Sequence, residues 1–232
     1  MSGTSADSFA FPPDTIAFLT DLGRNNERSW FESNRHRYEA AYVSPAKSFV
    51  EAAAPGLDAI VPSISAEPRV LGSIFRINRD TRFSSDKRPY KDHLDFWFWQ
   101  GPRKSAVSGL FLRVAPDGVI VGAGAHGFDK QQLERYRSAV TNRERGLQLA
   151  TTVATLRGAG FEIGGETYAR PPRGFTAAEP AIEPLLRHSA LYAEQTLPAS
   201  AATSRGFVNK VLDLWREQAP VHRWLYENVQ SP

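Results

Sequence analysis

The chain has 232 residues, of which 41% are hydrophobic and 23% are charged, so its composition excludes wholesale disorder. It has no cysteine, which excludes disulfides, thiolate nucleophiles and cysteine-ligated metal centres. The formal net charge is +3, and residues 76–91 alone hold six cations against two acids. The excess charge therefore lies in one short segment, which favours a local anion site over a broad surface for polyanions.

The overall organisation is predicted from the same sequence. No basic-then-apolar segment opens it and no apolar run reaches 18 residues, so we expect a cytoplasmic protein without a membrane span. Residues 1–10 are small and polar and are predicted to be a flexible start. Residues 11–232 are predicted to form a single globular domain, since this length suffices for one hydrophobic core.

The first quarter of the chain shows helical periodicity. Three helices are predicted here, with Asp14, Asn26 and Ser44 as their N-caps. Pro55 is expected to kink or restart the third helix, because proline removes a backbone donor.

The middle of the chain changes to strand periodicity. Strands are predicted over 70–77, 93–99, 106–114 and 119–123. The pair Asp117-Gly118 is typical of a tight hairpin between the last two. Short strands joined by tight turns favour antiparallel pairing, because parallel strands need long crossover connections.

The last part of the chain returns mainly to helices. Asp129 is predicted to begin one helix through a capping box, and Asn142 to begin the next. A short strand is predicted at 161–163, a proline- and glycine-rich loop at 170–180, and a break in the final helix at Pro220. This order predicts an α+β fold, with a central antiparallel sheet of about four or five strands flanked by N-terminal and C-terminal helices.

The basic segment carries the clearest chemistry. Guanidinium groups bind phosphate or carboxylate through two parallel hydrogen bonds, and lysine adds a point charge. The candidate ligand-binding residues come from this segment and from the later loop: Arg76, Arg79, Arg82, Lys87, Tyr90, Lys91 and Arg173. The two acids within the segment, Asp80 and Asp86, are expected to hold arginines in place.

A structural role for the same residues stays open. Arginine and aspartate often form a salt-bridge network that fixes a loop to a sheet, and charge clusters indicate function only statistically. Six cations against two acids leave four charges unmatched, provided that Asp92 and Asp95 point elsewhere. This surplus favours a binding site.

No catalytic residue can be assigned from the sequence. Weak candidates for proton transfer are Asp80, Tyr90 and His126, so whether the protein is an enzyme stays open. The run Asp92-His93-x-Asp95 has metal-ligand residue types, but on a strand His93 would point away from Asp92. We therefore expect no metal and no cofactor.

Residues 79–91 spell Arg-Asp-Thr-Arg-Phe-Ser-Ser-Asp-Lys-Arg-Pro-Tyr-Lys. This stretch resembles the Arg-Asp-x-Arg-Phe-Ser-x-Asp-Lys-x-Pro-Tyr-Lys motif of an uncharacterised bacterial and fungal family, domain of unknown function family 2461. The resemblance continues at Trp30-Phe31, at Leu133 and Arg137, and at Pro172-x-Gly174-Phe175. It implies one domain of about this length and assigns no reaction.

Three functions are compatible with these features. The first is binding of a small phosphate- or carboxylate-bearing ligand in an Arg/Lys-lined pocket, with acid–base chemistry as an option. The second is a protein-interaction module that docks an acidic partner through the basic segment, and the third is nucleic-acid binding, for which the aromatic run at 96–99 could stack bases. We favour the first, because the charge is local and Phe83 and Tyr90 are suited to pocket walls. No membrane partner is expected, and the oligomeric state is open.

Overall fold

The structure is a computed structural model that describes residues 6–82 and 84–230. Its helices lie mainly at the two ends of the chain and between the fourth and fifth strands. The first group consists of α1 (Pro13–Arg24), α2 (Arg28–Ser33), α3 (Arg35–Arg37), a π-helical turn (Tyr38–Val43) and α4 (Ser44–Ile60). The later helices are α5 (Lys130–Thr141), α6 (Arg143–Gly158) and α7 (Phe207–Asn228), with 3₁₀ turns at Glu183–Arg187 and Ala199–Ala201. None of the described helices is long and apolar enough to cross a membrane.

One antiparallel sheet of six strands accompanies these helices, which confirms the α+β prediction. Its strands are β1 (Ile64–Ser65), β2 (Leu94–Gln100), β3 (Gly109–Ala115), β4 (Gly118–Ala125), β5 (Glu162–Glu166) and β6 (His188–Leu197). Their order across the sheet is β1-β2-β3-β4-β6-β5. The hairpin predicted at Asp117-Gly118 joins β3 to β4, as expected for a turn that matches strand twist.

The sheet contains two strands that were not predicted, the two-residue β1 and the longer β6, which carries a weak strand signal. Its sequence is rich in Ala, Leu, Glu and Gln, which favour helices. Pairing overrides this preference, since β6 lies between β4 and β5. Close packing leaves no room at Gly124 in β4, where a Cβ would lie 2.3 Å from the carbonyl oxygen of Leu191 and φ is +132°.

The predicted strand at 70–77 is wrong. This stretch forms isolated bridges, Val70 with Ile74 and Ile74 with Phe96, and no continuous strand. The reason is a tight turn in which Leu71 has a φ of 66° and its N–H donates to the Ile74 carbonyl at 2.9 Å.

Three of the predicted N-caps are also wrong, while two are confirmed. Helix α1 begins after Pro12, and Asp14 lies inside it and pairs with Arg37. Helix α2 begins after Glu27, so Asn26 is not its cap. Ser44 continues directly from the π-helical turn and starts no separate helix. The Asp129 capping box and the Asn142 cap are present.

The two prolines expected to interrupt helices lie inside continuous ones. Pro55 is within α4 and Pro220 is within α7. Of the predicted flexible start, residues 1–5 lie outside the described residues, and Phe9 is buried against Phe11 and Phe49.

Contacts divide the chain into two compact units. The first contains residues up to 98 together with 111–121 and 196–213, and the second contains 99–110, 122–195 and the chain from 214 onward. This division does not test the prediction of a single globular domain over 11–232, which stays a prediction.

The core of the first unit is aromatic. The Phe49 ring lies 5.6 Å from Phe11, 4.9 Å from Phe96 and 6.0 Å from Phe207, measured between ring centroids, and all four side chains are buried. Phe96 belongs to β2, whose alternate residues face this core. Phe96 and Phe98 are therefore core residues with no surface for stacking bases.

The core of the second unit is built on large side chains whose polar tips are satisfied. Trp215 Nε1 donates to the Gly122 carbonyl at 3.1 Å, and Tyr136 donates its hydroxyl to the Leu185 carbonyl at 3.0 Å. Trp224 packs edge-on against Tyr136 at 5.9 Å. Burial without a lost hydrogen bond makes these residues strong core anchors.

Candidate functional site

The basic segment folds back on itself within the first unit. Asn78 pairs with Tyr90 in an antiparallel bridge, the Arg79 N–H donates to the Pro89 carbonyl at 2.9 Å, and the Lys91 N–H donates to the Ile77 carbonyl at 2.8 Å. The residues between form a loop, which we call the motif loop (residues 80–88). Phe83 lies outside the described residues.

Asn26 fixes the base of this loop. Its amide nitrogen donates to the Tyr90 carbonyl at 3.0 Å, and its amide oxygen accepts from the Tyr90 N–H at 3.0 Å. A primary amide pairs with a peptide group in this way only when both are well aligned. The residue predicted as a helix cap therefore anchors the motif to the helical region.

The acids of the motif loop hold its arginines, as predicted. Asp80 accepts two hydrogen bonds from Arg82, at 3.0 and 2.7 Å, and these hold the pKa of Asp80 below its usual value. Asp86 contacts Arg88 at 2.9 Å and Arg79 at 2.6 Å. The hydrogen bonds from Arg88, with a smaller effect of Arg79, hold the pKa of Asp86 well below its usual range.

The next two acids do not point away from the segment, which corrects the charge count. Asp92 lies 3.4 Å from an Arg88 nitrogen, and Asp95 lies 3.1 Å from Lys91 Nζ. Asp95 also accepts from Arg113 Nε at 2.8 Å. Much of the apparent cationic surplus is therefore neutralised locally, as in the salt-bridge interpretation.

His93 bridges the same two acids. Its Nδ1 lies 3.1 Å from Asp92 and its Nε2 lies 3.2 Å from Asp95, so the expectation that His93 points away from Asp92 is wrong. Strand alternation does not apply here, because β2 begins only at Leu94. Burial alone would raise the pKa of Asp95, but the hydrogen bonds from His93 and Arg113 outweigh burial and hold it well below its usual range.

A groove of about 490 Å³ lies between α2–α3 and the basic segment, and we call it the cationic groove. Its charged lining residues are Arg28, Glu32, Arg35, Arg79 and Lys87. Four cations and one acid give this lining a net formal charge of +3. Arg35 contacts Glu32 and Arg79 contacts Asp86, so part of this charge is already neutralised. Among the described residues, Arg28 and Lys87 form no ion pair, and they carry the charge surplus of the groove.

The groove has an aromatic floor. Phe31 and Tyr90 stack with ring centroids 4.2 Å apart, and Tyr38 lies 5.2 Å from Phe31. Tyr38 begins the π-helical turn, a local irregularity that often occurs at functional sites. Burial, with a smaller effect of Glu39, raises the pKa of Tyr38. The floor can contact the apolar part of a ligand while the cations contact its anionic part.

Two of the groove cations are positioned by the protein. Arg79 is held by Asp86 and donates to the Arg88 carbonyl at 3.3 Å, which leaves its side chain 24% exposed. Lys87 Nζ donates to the Thr81 carbonyl at 3.0 Å. Arg35, by contrast, lies 3.7 Å from Glu32 and is 62% exposed.

The predicted ligand-binding residues separate into three groups. Arg79, Lys87 and Tyr90 line the cationic groove. Arg76, Arg82 and Lys91 are not among its lining residues: Arg76 is exposed, Arg82 pairs with Asp80, and Lys91 pairs with Asp95 and lies over the Phe75 ring. Arg173 is exposed in a loop of the second unit.

The weak acid–base candidates also separate. Tyr90 lines the groove, and Asp80 is held by Arg82 in the motif loop. His126 follows β4 in the second unit, where its ring lies 4.3 Å from that of Tyr192. Only Tyr90 among the three is next to the space that a groove ligand would fill.

Two groove residues were missed by the sequence reasoning. Arg28 and Arg35 are seven positions apart, with Phe31 between them, which is the spacing of one helical face. This spacing in the sequence is enough to predict that the two arginines lie on the same side of a helix. Arg113 was also missed, but its contact with Asp95 depends on strand register and leaves no trace in local sequence.

A second cavity of about 380 Å³ is lined in part by residues of the His93 cluster. Its polar lining includes Asp92, His93 and Arg113, and its apolar lining includes Leu19 and Ile120. Asp92, His93 and Arg113 already take part in the ion pairs of the His93 cluster, so these side chains are not available to a ligand. Within the described residues, no group of three or more histidine, aspartate or glutamate side chains is arranged to hold a metal ion.

Fold and site together define an α+β protein with an aspartate-braced basic segment beside a cationic, aromatic-floored groove. The family described as "Conserved hypothetical protein (DUF2461)" matches residues 14–224, so the chain belongs to this family, as its motif indicates. No curated protein and no solved structure matches the chain.

Proposed function

We propose that the protein binds a small phosphate- or carboxylate-bearing ligand in the cationic groove. The observation that carries this proposal is the lining of the groove, where four cations meet one acid above an aromatic floor. Convergent cations around a concave space are suited to a compact anion, because several charged donors can contact it at once.

The four groove cations differ in how the protein holds them, and this difference gives them different roles in binding the anion. Arg79 and Lys87 are fixed by contacts to Asp86 and to the Thr81 carbonyl, so they supply donors in set positions. Arg28 and Arg35 lie on exposed helical turns and can close over a bound anion. Preorganised donors lower the entropic cost of binding, and mobile ones adapt to the size of the ligand.

The shape of the groove favours this proposal over the two alternatives. An acidic partner protein or a nucleic acid would engage exposed cations such as Arg82, which is 77% exposed and outside the groove lining. A small anion needs the groove and does not need Arg82. The two sets of arginines therefore discriminate between the functions.

The test is a thermal-shift titration with inorganic phosphate, succinate and adenosine monophosphate, with polyglutamate and single-stranded DNA as polyanion probes. A ligand at 100 times its dissociation constant stabilises the native state by about 2.7 kcal/mol, or roughly 5–10 °C in a chain of this size. The proposal expects one small anion to give this shift. The double variant Arg28→Gln, Arg35→Gln should lose it.

The matched control is Arg76→Gln, Arg82→Gln, which removes the same charge from exposed arginines outside the groove lining. It should keep the shift. Equal loss in both double variants, or stabilisation by the polyanions alone, would contradict the proposal and support a surface for an acidic partner or nucleic acid.

A further inference from the structure

Arg137 lies over two aromatic rings in the second unit. It belongs to α5, and its guanidinium carbon lies 5.4 Å from the ring centroid of Tyr168 and 5.7 Å from that of Phe175. Both rings come from the segment that follows β5. A guanidinium over aromatic faces gains cation–π attraction, but these contacts leave its N–H donors unused.

The charge of Arg137 has no counter-ion in the part of the chain that the structure describes. No ion pair involves Arg137, and its Nε is buried without a hydrogen-bond partner. Buried donors on charged groups are normally satisfied, so an unsatisfied one calls for an explanation, and a bound ion is one such explanation.

The acids nearest in the chain to the covering loop are engaged by other arginines. Glu179 binds Arg143 at 2.8 Å. Glu166 lies 3.1 Å from Arg187, and Glu183 lies 4.0 Å from the same side chain. They are thus already paired and are not the partners of Arg137.

The loop adds further positive charge. Arg170 and Arg173 are exposed in the proline- and glycine-rich stretch that separates Tyr168 from Phe175. In the described residues, neither forms an ion pair with an acid. Within the described part of the chain, three arginines of one region thus have no carboxylate partner.

We propose that Arg137 is the centre of a second anion site, in the second unit, which binds a small oxyanion of the carboxylate or phosphate type. A ligand would bind at the edge of the guanidinium, where Nε–H and one Nη–H form a two-pronged donor. Because Nε is closed off here, two-pronged binding requires the loop 168–175 to shift. Arg170 and Arg173 supply longer-range attraction.

This site is independent of the cationic groove, because all its residues belong to the second unit. The test is therefore made in the Arg28→Gln, Arg35→Gln protein, in which the groove is disabled. Side-chain Nε–Hε signals of the ¹⁵N-arginine-labelled protein are followed by NMR during titration with inorganic phosphate and, separately, with succinate. The Arg137 signal is assigned by its disappearance in Arg137→Lys.

The proposal expects the Arg137 signal to move saturably with one of the two anions. The signal of Arg143, which already has Glu179 as its partner, should not move. The ring-proton signals of Tyr168 and Phe175, which need no ¹⁵N label, should shift with the same midpoint, because the loop follows the ligand. Arg137→Lys should weaken binding at least tenfold, since lysine keeps the charge and lacks the fork.

Two results would overturn it. One is the absence of any saturable shift of Arg137 up to 20 mM of either anion, roughly the weak end of specific small-ligand binding. The other is equal movement of Arg137 and Arg143, which would mean general ion screening. If Arg137→Lys does not fold, Phe175→Leu is the second variant, and it should change the anion affinity while the Arg137 signal remains observable.

Discussion

Arginines of two regions meet opposite surroundings. In the motif loop, Arg82 has Asp80, and Arg79 and Arg88 share Asp86. In the second unit, Arg137 has aromatic faces and no carboxylate among the described residues. A count of charges along the sequence draws attention to the first region and overlooks the second. What decides whether an arginine can bind a ligand is the partner it already has.

The first region is itself divided. Its acids brace the motif loop, while Arg79 and Lys87 remain at the wall of the cationic groove. The salt-bridge network and the binding site are thus different faces of one segment, and the network holds the groove cations in place.

The largest expected effect distinguishes the buried ion pairs from the exposed ones. The Asp95 side chain is 14% exposed, contacts His93 and neutralises Arg113 and Lys91. Asp95→Asn leaves Arg113 and Lys91 without this counter-ion and should lower the free energy of unfolding by about 4 kcal/mol, measured by urea denaturation. The control Asp80→Asn removes an exposed pair and should leave the denaturation midpoint unchanged. Equal losses of stability in the two variants would mean that the Asp95 cluster and the exposed Asp80 pair contribute equally to folding.

The stability of the wild type and that of Asp95→Asn should also depend differently on pH. The pKa of Asp95 is lowered in the folded state, so its contribution is present above the unfolded value of about 4 and is lost as the pH falls toward the folded value. The stability difference between wild type and Asp95→Asn should therefore shrink below about pH 4. A difference that stays constant with pH would contradict the ion-pair account.

The next prediction concerns a buried histidine that stays neutral in the folded protein, in contrast to the charged groups of the ion pairs. His222 lies 2.6 Å from the Ser108 hydroxyl and 3.1 Å from the Gln100 amide oxygen, and burial lowers its pKa to about 4. The unfolded chain therefore takes up a proton below about pH 6.5, before the folded protein does, and stability falls as the pH drops to 4. The expected loss is about 3 kcal/mol.

The loss should become smaller by this amount in His222→Asn, while the part due to His188, whose pKa burial also lowers, remains. It should persist in full in His126→Asn, whose histidine is exposed. Stability measured by urea denaturation at several pH values tests it. A wild type whose stability is unchanged between pH 6.5 and 4 would show that His222 is not kept neutral by burial.

A smaller effect is expected at the base of the motif. Asn26→Ala removes both hydrogen bonds to the Tyr90 peptide groups and should cost about 2 kcal/mol. It should also weaken anion binding, because the groove floor at Tyr90 loosens. The neighbouring Asn25→Ala, which removes an exposed contact to the Asp21 carbonyl, is the control. Anion binding that survives in Asn26→Ala would show that the groove does not depend on this anchor.

The smallest effect concerns affinity alone. Asp86→Asn removes the carboxylate that neutralises Arg79 and should raise the affinity of the groove for phosphate about threefold. Calorimetric titration would measure it. A fall in affinity would mean that Asp86 is needed to position Arg79 more than its charge opposes the ligand.

The sequence located the basic segment and the acids that brace it, because both are local in the chain. The pairing of Asp95 with Arg113 depends on the register of β2 and β3, and a local pattern does not contain that information. His93 was misplaced because strand alternation was applied one residue before the strand begins. Arg28 and Arg35 were within reach, since their helical spacing shows them on one face. The β6 strand was out of reach, because pairing on both sides overrides its helical composition.

The most direct test of the central claim is to locate a bound anion. Crystals grown with selenate would mark the anion by its anomalous scattering. The proposed function predicts a peak in the cationic groove, within hydrogen-bond distance of Arg79 or Lys87. Peaks confined to Arg82 and Arg88 at the tip of the motif loop, with an empty groove at saturating selenate, would contradict it.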